Sequence, residues 1–249
     1  MFNFFAKSDL RRNDRYYIEG ADYNHIKNVL RMTVGDKFLV SDGQSSHLCE
    51  IEAITEQNVV ASIIEENRQS TRLAVKIHLF QGLPKADKME LIIQKCVELG
   101  ADKIFPVEME HCVVKLDDKK KVSKTKRWQA IAESAAKQSK RSDIPEICEV
   151  LSFKKALELA KGLDLVLVPF ENARGLTATK EVLSEIKSGM SIGIFIGPEG
   201  GFSEKEIETA RALGFKTVSL GKRILRTETA AITAVGMCML YSEMNLGDN

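Results

Sequence analysis

Two glycine-bearing turns between residues 191 and 234 constrain the fold more than any other feature of this sequence. The first contains Gly-Pro-Glu-Gly-Gly-Phe-Ser at residues 197–203, and the second occupies residues 220–231. Each turn follows a short apolar run that is typical of a strand, and each leads into a helical pattern. Turns of this kind lie at one edge of a parallel sheet, where open α/β folds bind ligands. The two turns therefore predict a ligand cleft. Their glycines let the backbone come close to a ligand, because glycine carries no Cβ.

Two familiar nucleotide-binding motifs are excluded at these turns. The order Gly-Pro-Glu-Gly-Gly does not match Gly-x-Gly-x-x-Gly, and no Gly-x-x-x-x-Gly-Lys-Ser/Thr occurs in the chain. A purely structural alternative is a tight turn before a capped helix, and Ser203 with Glu206 fits a capping box. That alternative explains the cap but not the three glycines and the proline that precede it.

Strand and helix patterns alternate after residue 72 and predict an α/β fold, a parallel sheet with helices on both faces. The run at residues 163–168 is nearly all apolar, as expected of a strand covered on both faces. A helix from about residue 87 carries an apolar stripe and ends near Gly100. The last helix, predicted at residues 228–244, has one apolar stripe formed by Ile232, Val235, Met239 and Leu240.

Residues 1–71 instead read as short strands separated by turns, which predicts a small sheet or barrel. One helix interrupts the strands. We expect Asp22 to cap it and Ile26, Val29 and Leu30 to form its apolar face. The polar run at residues 65–72 is predicted to link this domain to the next.

The charge of the whole chain does not indicate a nucleic-acid partner, but one local cluster of basic residues does. The net charge of the chain is +1, and residues 1–71 hold eight Lys or Arg against eleven Asp or Glu. Residues 115–127, by contrast, hold seven Lys or Arg against two Asp, followed closely by Lys137, Lys140 and Arg141. A patch of this kind can neutralise RNA phosphates, although a solvated helix face is the commoner meaning of a charge run.

Metal, disulfide and membrane chemistry find no support in the sequence. The five cysteines and four histidines show no metal-ligand spacing and no Cys-x-x-Cys. No apolar run approaches the roughly 18 residues that span a bilayer, and the N-terminus lacks a signal-peptide pattern. We therefore expect a cytoplasmic protein with no metal and no membrane partner.

The two turns resemble those of the RsmE family of ribosomal RNA methyltransferases, which belongs to the knotted SPOUT superfamily. The second turn carries the most specific part, Leu-Gly-x-Arg-Ile-Leu-Arg-x-Glu-Thr-Ala at residues 220–230. The likeness extends to Gly-Leu-Pro-Lys-Ala-Asp-Lys-Met-Glu at residues 82–90 and to residues 25–32. It therefore touches both ends of the chain.

This resemblance implies a PUA-like RNA-binding domain at residues 1–71 and a SPOUT methyltransferase domain with a trefoil knot at residues 72–249. General rules of topology exclude knots, so the knot is expected from the resemblance alone. The family works as a homodimer. The last helix offers Met237, Met239, Leu240 and Met244 to a partner, although burial within its own domain explains them equally well.

The resemblance also implies S-adenosylmethionine as the methyl donor and N3 of a uridine in 16S ribosomal RNA as the acceptor. The assembled small subunit is the expected partner, and free RNA stays open as the substrate. An adenosyl group needs an apolar slot and a few backbone polar groups. The slot is assigned to Leu167, Val168, Ile196, Leu220, Ile224, Leu225 and Ala230. The close backbone is assigned to Gly197, Pro198, Gly200, Gly201 and Gly221. Packing at strand ends is the alternative role of the apolar residues.

Methyl transfer to a uridine nitrogen needs alignment of the two reactants and loss of the N3 proton. Arg226 is the candidate to stabilise the charge that develops on O2 or O4, since it lies in the second turn and is permanently charged. Arg223 is a weaker candidate. Glu228 and Glu199 are carboxylates of the right type for a base, but either can instead stabilise a helix N-terminus.

The residues expected to contact RNA are basic and lie off the apolar stripes. They are Arg11, Arg12, His25, Lys27, Arg31, Lys137 and Arg141. Two other functions stay open on the sequence. One is a ribosome-assembly protein that binds RNA without catalysis. The other is an enzyme of the same class that methylates a ribose 2′-hydroxyl or a transfer RNA base.

Overall fold

The computed structural model describes residues 1–6, 10–43, 45–68, 70–170 and 175–247, and omits the side chains of residues 67 and 68. The chain forms two compact units. The first contains Met1–Arg72 and Ala136–Ile144, and the second contains Leu73–Ala135 and Pro145–Asn249. The predicted boundary at residue 71 took no account of the segment at 136–144, and the domain assignments stay predictions. No helix in the described ranges is long and apolar enough to span a bilayer.

In its described residues, the first unit is built on a six-stranded sheet, which confirms the β-rich fold expected near the N-terminus. The strands are β1 Asn3–Phe5, β2 Arg11–Arg12, β3 Arg15–Ile18, β4 Lys37–Ser41, β5 Ser46–Ile54 and β6 Val59–Arg68. Their order across the sheet is β1-β4-β5-β6-β3-β2. β1 pairs in parallel with β4, and the other described pairs are antiparallel. Because β6 continues to Arg68, the first half of the predicted linker is strand.

The predicted helix near residue 25 differs from its expected form. It consists of α1, Gly20–Asn24, followed by a π-helical turn, His25–Val29, in which the Leu30 amide donates to the His25 carbonyl at 2.9 Å. The wider turn rotates Val29 out of the apolar face, so that Val29 is 64% exposed while Ile26 is fully buried. Asp22 lies inside α1 and does not cap it.

The second unit contains the expected parallel sheet. Its strands are β7 Lys76–Gly82, β8 Ala101–Glu108, β9 Glu146–Ile147, β10 Leu151–Ser152, β11 Leu165–Pro169, β12 Ser191–Ile196 and β13 Lys216–Val218. Among the described strands the order is β10-β8-β7-β12-β11-β13, with β9 beside β8. The helices are α2 Lys88–Glu98, α3 Asp118–Gln138, α4 Phe153–Ala160, α5 Gly175–Leu183, α6 Glu204–Ala212 and α7 Thr227–Leu246.

Apolar patterning explains why these elements pack as they do. Residues 165–168 of β11 are all buried, as predicted for a strand covered on both faces. The stripe predicted on α2 is buried as well. In the sheet, Phe80 stacks between Phe105 and Phe195, at centroid distances of 4.6 and 4.4 Å. Stacked aromatic pairs add to the stabilisation that their buried area gives.

The last helix packs on a different face from the one predicted. Its buried side is lined by small residues, chiefly Ala231, Ala234 and Cys238, together with Val235. Leu240, which was expected in the buried stripe, is 51% exposed. Small side chains let α7 lie close to the sheet, which turns the larger apolar residues outward.

Sheet order places the two glycine-bearing turns side by side. β11 pairs with β12 on one side and with β13 on the other, all in parallel. The carboxyl ends of these three strands therefore share one edge, and the chain turns there after residues 169, 196 and 218. Strand order by itself does not establish a knot, and the trefoil knot stays a prediction.

Leu79 tests the core of the second unit. Its side chain in β7 is fully buried, so Leu79→Ala is expected to lower the free energy of unfolding by about 2–5 kcal/mol. Leu159→Ala is the matched control, because Leu159 on α4 is 53% exposed. That change should stay within about 0.5 kcal/mol. Urea unfolding measures both, and equal losses would contradict the assigned core.

Candidate functional site

A cavity of about 550 Å³ opens at the shared carboxyl edge of β12, β11 and β13. Its walls are residues 169–170, 196–202, 219–221 and 223–227, completed by Lys88 and Ala230. The three strand-to-helix turns thus enclose one space, as the two glycine motifs predicted. Its volume lies within the range of about 300–1,000 Å³ that small-molecule sites occupy.

Ten of the twelve residues predicted to bind the methyl donor line this cavity. They are Ile196, Gly197, Pro198, Gly200, Gly201, Leu220, Gly221, Ile224, Leu225 and Ala230. The other two, Leu167 and Val168, are at most 1% exposed and lie within β11. Because β11 continues to Pro169, Pro169 and Phe170 form the wall at this strand instead.

Glycine is required in both turns. A Cβ added to Gly200 would lie 2.8 Å from the Cβ of His111, closer than two such atoms approach in proteins. Gly221 has a φ of +113°, a conformation that side chains other than glycine rarely adopt. The backbone of each turn can therefore take its shape only because these side chains are absent.

The first turn is braced from the segment that follows β8. His111 Nδ1 donates to the Gly200 carbonyl at 3.0 Å. The predicted capping box is present, with Ser203 and Glu206 each bonded to the other's backbone amide. Glu206 also accepts from the Glu110 amide at 3.0 Å. One buried carboxylate thus caps α6 and holds the neighbouring loop.

A buried hydrogen-bond relay joins the first turn to the start of α7. Gln81, which is 0% exposed, donates from Nε2 to Thr227 Oγ1 at 2.9 Å. The Thr227 hydroxyl then donates to the Gly197 carbonyl at 2.7 Å. We call Gln81, Thr227 and Gly197 the latch. It links the ends of β7 and β12 to Thr227, the first residue of α7.

The second turn has a similar anchor. The Ser219 amide donates to Thr179 Oγ1 at 2.9 Å, and the Thr179 hydroxyl lies 3.1 Å from the Ser219 carbonyl. Thr179 is 2% exposed on α5, so helix α5 holds the base of the turn. Beyond Ser219 the turn becomes exposed, and Ile224 at its tip is 86% exposed.

Lys88 is the central charged group at the mouth of the cavity. Lys88 Nζ donates to Glu199 Oε1 at 3.0 Å and lies 3.6 Å from Glu228 Oε2. Burial raises the pKa of Glu199, but hydrogen bonds from Lys88 and the Lys85 amide outweigh it and lower that pKa below its ordinary value. The hydrogen bond to Glu199 is the main cause that raises the pKa of Lys88. Both groups therefore stay charged at neutral pH.

The two residues predicted to be catalytic lie in different surroundings. Arg226 lines the cavity with an exposed side chain, and its carbonyl accepts from the Ala230 amide at 2.8 Å. Glu228 does not line the cavity. It lies in the first turn of α7 with a side chain that is 14% exposed. A carboxylate there stabilises the positive end of the helix dipole, which is the alternative role considered for it.

The basic residues predicted near the N-terminus differ in exposure. Arg12, Lys27 and Arg31 are exposed, whereas Arg11 and His25 are half-buried. Arg11 is held in an ion pair, and the His25 ring packs edge-on against a phenylalanine ring. The first three side chains are therefore the ones that can reach a ligand.

Lys137 and Arg141 hold the segment at residues 136–144 in the first unit. Lys137 Nζ donates to Asp22 at 2.8 Å. Arg141 is 7% exposed, with its guanidinium 3.1 Å from the Asp143 carboxylate. The Arg141 carbonyl accepts from Asn3 Nδ2 at 3.0 Å. A buried, paired guanidinium has no access to a phosphate, which corrects the prediction that Arg141 lies on an RNA-binding surface.

Sequence reasoning missed Lys88, Gln81, Thr227 and Phe170 as parts of this site. Lys88 lies within the run at residues 82–90, but its distance from the two turns along the chain hides its place at the cavity. Gln81 gave no signal, since a polar residue at a strand end is usually exposed. Thr227 sits between two charged residues of the second turn, which drew attention away from it.

Comparison with known proteins identifies relatives over nearly the whole chain. A family model described as an RNA methyltransferase domain matches residues 71–239, and one described as an RNA methyltransferase PUA domain matches residues 18–64. The ribosomal RNA small subunit methyltransferase E of Bacillus subtilis is 36% identical over 248 residues, 98% of this chain and 96% of that protein. The protein of the same name from Mesomycoplasma hyopneumoniae is 33% identical over 240 residues, 96% of this chain and 99% of that protein.

A solved structure is similar to this chain over nearly its whole length. The ribosomal RNA small subunit methyltransferase E of Neisseria gonorrhoeae, crystallised with S-adenosyl methionine, has a TM-score of 0.80 and 31% identity to this chain. The match covers 95% of this chain and 96% of that one. The fold, the cleft and these matches together define an RNA methyltransferase that carries a PUA domain.

Within that class, this chain belongs to the ribosomal RNA small subunit methyltransferase E family, or RsmE family. The resemblance seen in the two glycine-bearing turns is thereby confirmed.

The latch predicts the effect of changing Thr227. Thr227→Val leaves the Gln81 amide and the Gly197 carbonyl without this partner, and should lower the free energy of unfolding by about 1–3 kcal/mol. Thr227→Ser keeps the hydroxyl and should retain most of that stability. Thr229→Val is the matched control, since Thr229 is exposed in the same helical turn. Urea unfolding compares the three variants, and a valine variant at position 227 as stable as the wild type would contradict the latch.

Proposed function

We propose that this protein methylates N3 of a specific uridine in 16S ribosomal RNA, with S-adenosylmethionine as donor. The acceptor lies in the assembled small subunit, and the reaction takes place in the cytoplasm. The observation that carries the proposal is one cavity enclosed by three strand-to-helix turns in a member of the RsmE family. The SPOUT-type knot expected from the resemblance is part of the same proposal.

The residues of the cavity suit an adenosyl donor. Ile196, Leu220 and Leu225 offer apolar walls, and the glycine-rich turn at residues 197–201 brings its backbone to the cavity wall. Few, well-placed polar groups in an apolar slot are what a nucleoside ligand requires. The related Neisseria gonorrhoeae enzyme was crystallised with this donor, which supports the same ligand here.

Arg226 is the catalytic residue that the geometry supports best. When bound, S-adenosylmethionine supplies a methyl group activated by a positive sulfur. Uridine N3 attacks well only after its proton leaves, which places negative charge on O2 and O4. Arg226 lies in the second turn, directly before the latched Thr227, so its backbone is held beside the cavity that it lines. A fixed positive charge there stabilises the transition state more than the ground state.

Glu199 and Glu228 are proposed to balance the charge of Lys88 and not to act as bases. Glu199 lines the cavity, but its lowered pKa makes it a weak base. Glu228 lies outside the cavity lining and, with Glu199, flanks Lys88. We therefore assign Glu228 to electrostatic support of Lys88 and of the start of α7.

RNA contact by the PUA unit is assigned to its exposed basic residues. Arg12, Lys27 and Arg31 are exposed, and the Arg12 guanidinium lies 5.1 Å from the centroid of the Tyr17 ring. An arginine and an aromatic ring together offer both charge and a stacking surface to RNA. The unit has no large excess of positive charge, so this local patch carries the contact.

A homodimer is proposed on the exposed face of α7. A second groove there is lined mainly by apolar side chains, among them Leu99, Ile232, Met237 and Leu240. Met244 at its end is 73% exposed. Contiguous exposed apolar surface of this kind marks protein interfaces. A stable monomer in sedimentation at micromolar concentration would contradict the dimer.

Labelled methyl donor and unmethylated small subunits test the activity. The wild type should transfer label to RNA, and nuclease mapping should place it on N3 of uridine. Arg226→Ala should lower kcat by about 10²–10³-fold, as expected for loss of one charge-stabilising group. The affinity for S-adenosylmethionine, measured by calorimetry, should change little. Arg223→Ala, which also borders the cavity, is the control and should lower kcat far less.

Other outcomes separate the alternatives. Absence of both label and donor binding would favour an RNA-binding assembly protein. Label on a ribose 2′-hydroxyl or on a transfer RNA base would keep the enzyme class and change the acceptor. Equal losses of kcat and donor affinity in the Arg226 variant would make Arg226 a binding residue only.

A further inference from the structure

The first half of α3 carries a strongly basic face that the site described above does not use. Lys119 and Lys126 are seven residues apart, so they lie two turns apart on the same side of the helix. Both are exposed, as is Lys115 just before the helix. Among the described residues, none of these three lysines has an ion-pair partner within 4.0 Å. We call Lys115, Lys119 and Lys126 the basic face.

The charges at the start of α3 are only partly balanced. Lys119, Lys120 and Lys121 occupy its first turn, next to the partial positive charge of the helix N-terminus, where cations are unfavourable. Asp117 accepts from the Lys120 amide at 2.8 Å and pairs with the Lys120 ammonium at 3.3 Å, and Lys121 pairs with Glu108 at 2.9 Å. Lys119 is therefore the lysine of this turn that has no carboxylate partner among the described residues.

Ion pairs of neighbouring cations place the basic face at the edge that holds the cavity. Lys121 Nζ donates at 2.9 Å to Glu108, the last residue of β8. Arg127 pairs at 2.8 Å with Glu90, two residues after Lys88 in α2. The loop between β8 and α3 also reaches Gly200 through His111. Helix α3 therefore begins at the carboxyl edge of the sheet, where the cavity opens.

We propose that the basic face binds phosphates of the RNA strand and leads the target nucleotide to the cavity. This rests on the proposed function, because it takes the ribosomal RNA substrate as its occupant. Two unpaired ammonium groups on one side of a helix, with a third just before the helix, suit a polyanionic backbone, since lysine acts on phosphate as a point charge. The contact carries no sequence information, which base contacts in the cavity would supply.

The lysines proposed here to bind RNA differ from the residues of the same basic run that the sequence predicted. Lys137 and Arg141, at the other end of the same basic run, are occupied by Asp22 and Asp143. The three lysines of the basic face, which have no ion-pair partner among the described residues, lie just before α3 or in its first half. An acidic segment of a protein is a different occupant, and equal affinity for RNA of the wild type and a variant that lacks the two α3 lysines of the basic face would favour it.

Salt-dependent binding to unmethylated small-subunit ribosomal RNA tests the basic face. Each lysine that neutralises a phosphate adds about 0.7–0.9 to the slope of log affinity against log salt. The double variant Lys119→Gln/Lys126→Gln should reduce that slope by about 1.5 and weaken binding about tenfold at low salt. Glutamine has a helix propensity close to that of lysine, so the helix should persist.

The matched control removes two lysines from the opposite edge of the sheet. Lys76 begins β7 and Lys187 precedes β12, and both are exposed. Lys76→Gln/Lys187→Gln should leave the slope unchanged. The α3 variant should raise KM for RNA while kcat and the affinity for S-adenosylmethionine stay at wild-type values.

Each outcome decides one claim. Equal slopes of log affinity against log salt for the two double variants would overturn the proposal that the basic face binds RNA phosphates. Weaker RNA binding of the α3 variant at an unchanged slope would overturn it as well. Failure of the wild type to methylate RNA, with the predicted slope difference intact, would overturn the proposed activity and support the basic face as an RNA-binding surface.

Discussion

Parallel pairing of β11 between β12 and β13 is the constraint on which the rest of the structure depends. It brings three turns, far apart in the chain, to one edge of one sheet. Pairing alone leaves the turns free to move against one another. The latch removes that freedom, because the Thr227 hydroxyl joins the Gly197 carbonyl to the buried Gln81 amide. A buried hydrogen bond of this kind is costly to break, since both groups would lose their partner away from water.

The chemistry of the site follows from that geometry. Glycine at residues 200 and 221 lets the backbone of both turns line the cavity, because a Cβ at residue 200 would meet His111 and residue 221 has a positive φ. The charged side chains among the described wall residues are Lys88, Glu199, Arg223 and Arg226. Lys88 is balanced by carboxylates, and Arg226 is the positive group that we propose to act on the acceptor. In the proposed reaction, alignment and a fixed positive charge assist transfer from an already activated donor, once the N3 proton of the uridine has left.

Local patterns predicted much of this structure, and long-range pairing explains what they missed. Apolar runs located the strands. The capping box was predicted because Glu206 follows Ser203 by three residues. The π-helical turn after α1 was missed, because an extra residue in a turn leaves no trace in hydrophobic spacing. Arg141 was misplaced for another reason. Its burial depends on contacts with residues more than 100 positions away, such as Asn3, which charge counting cannot detect.

A crystal structure with S-adenosylmethionine bound would show whether the three turns form one donor site. We expect one donor molecule in the cavity, in contact with backbone from all three turns, after residues 169, 196 and 218. We also expect the donor's methyl group to lie on the side of the cavity that Arg226 lines. A donor that binds elsewhere, or that touches one turn while the other two stay clear of it, would show that the turns do not form a shared site.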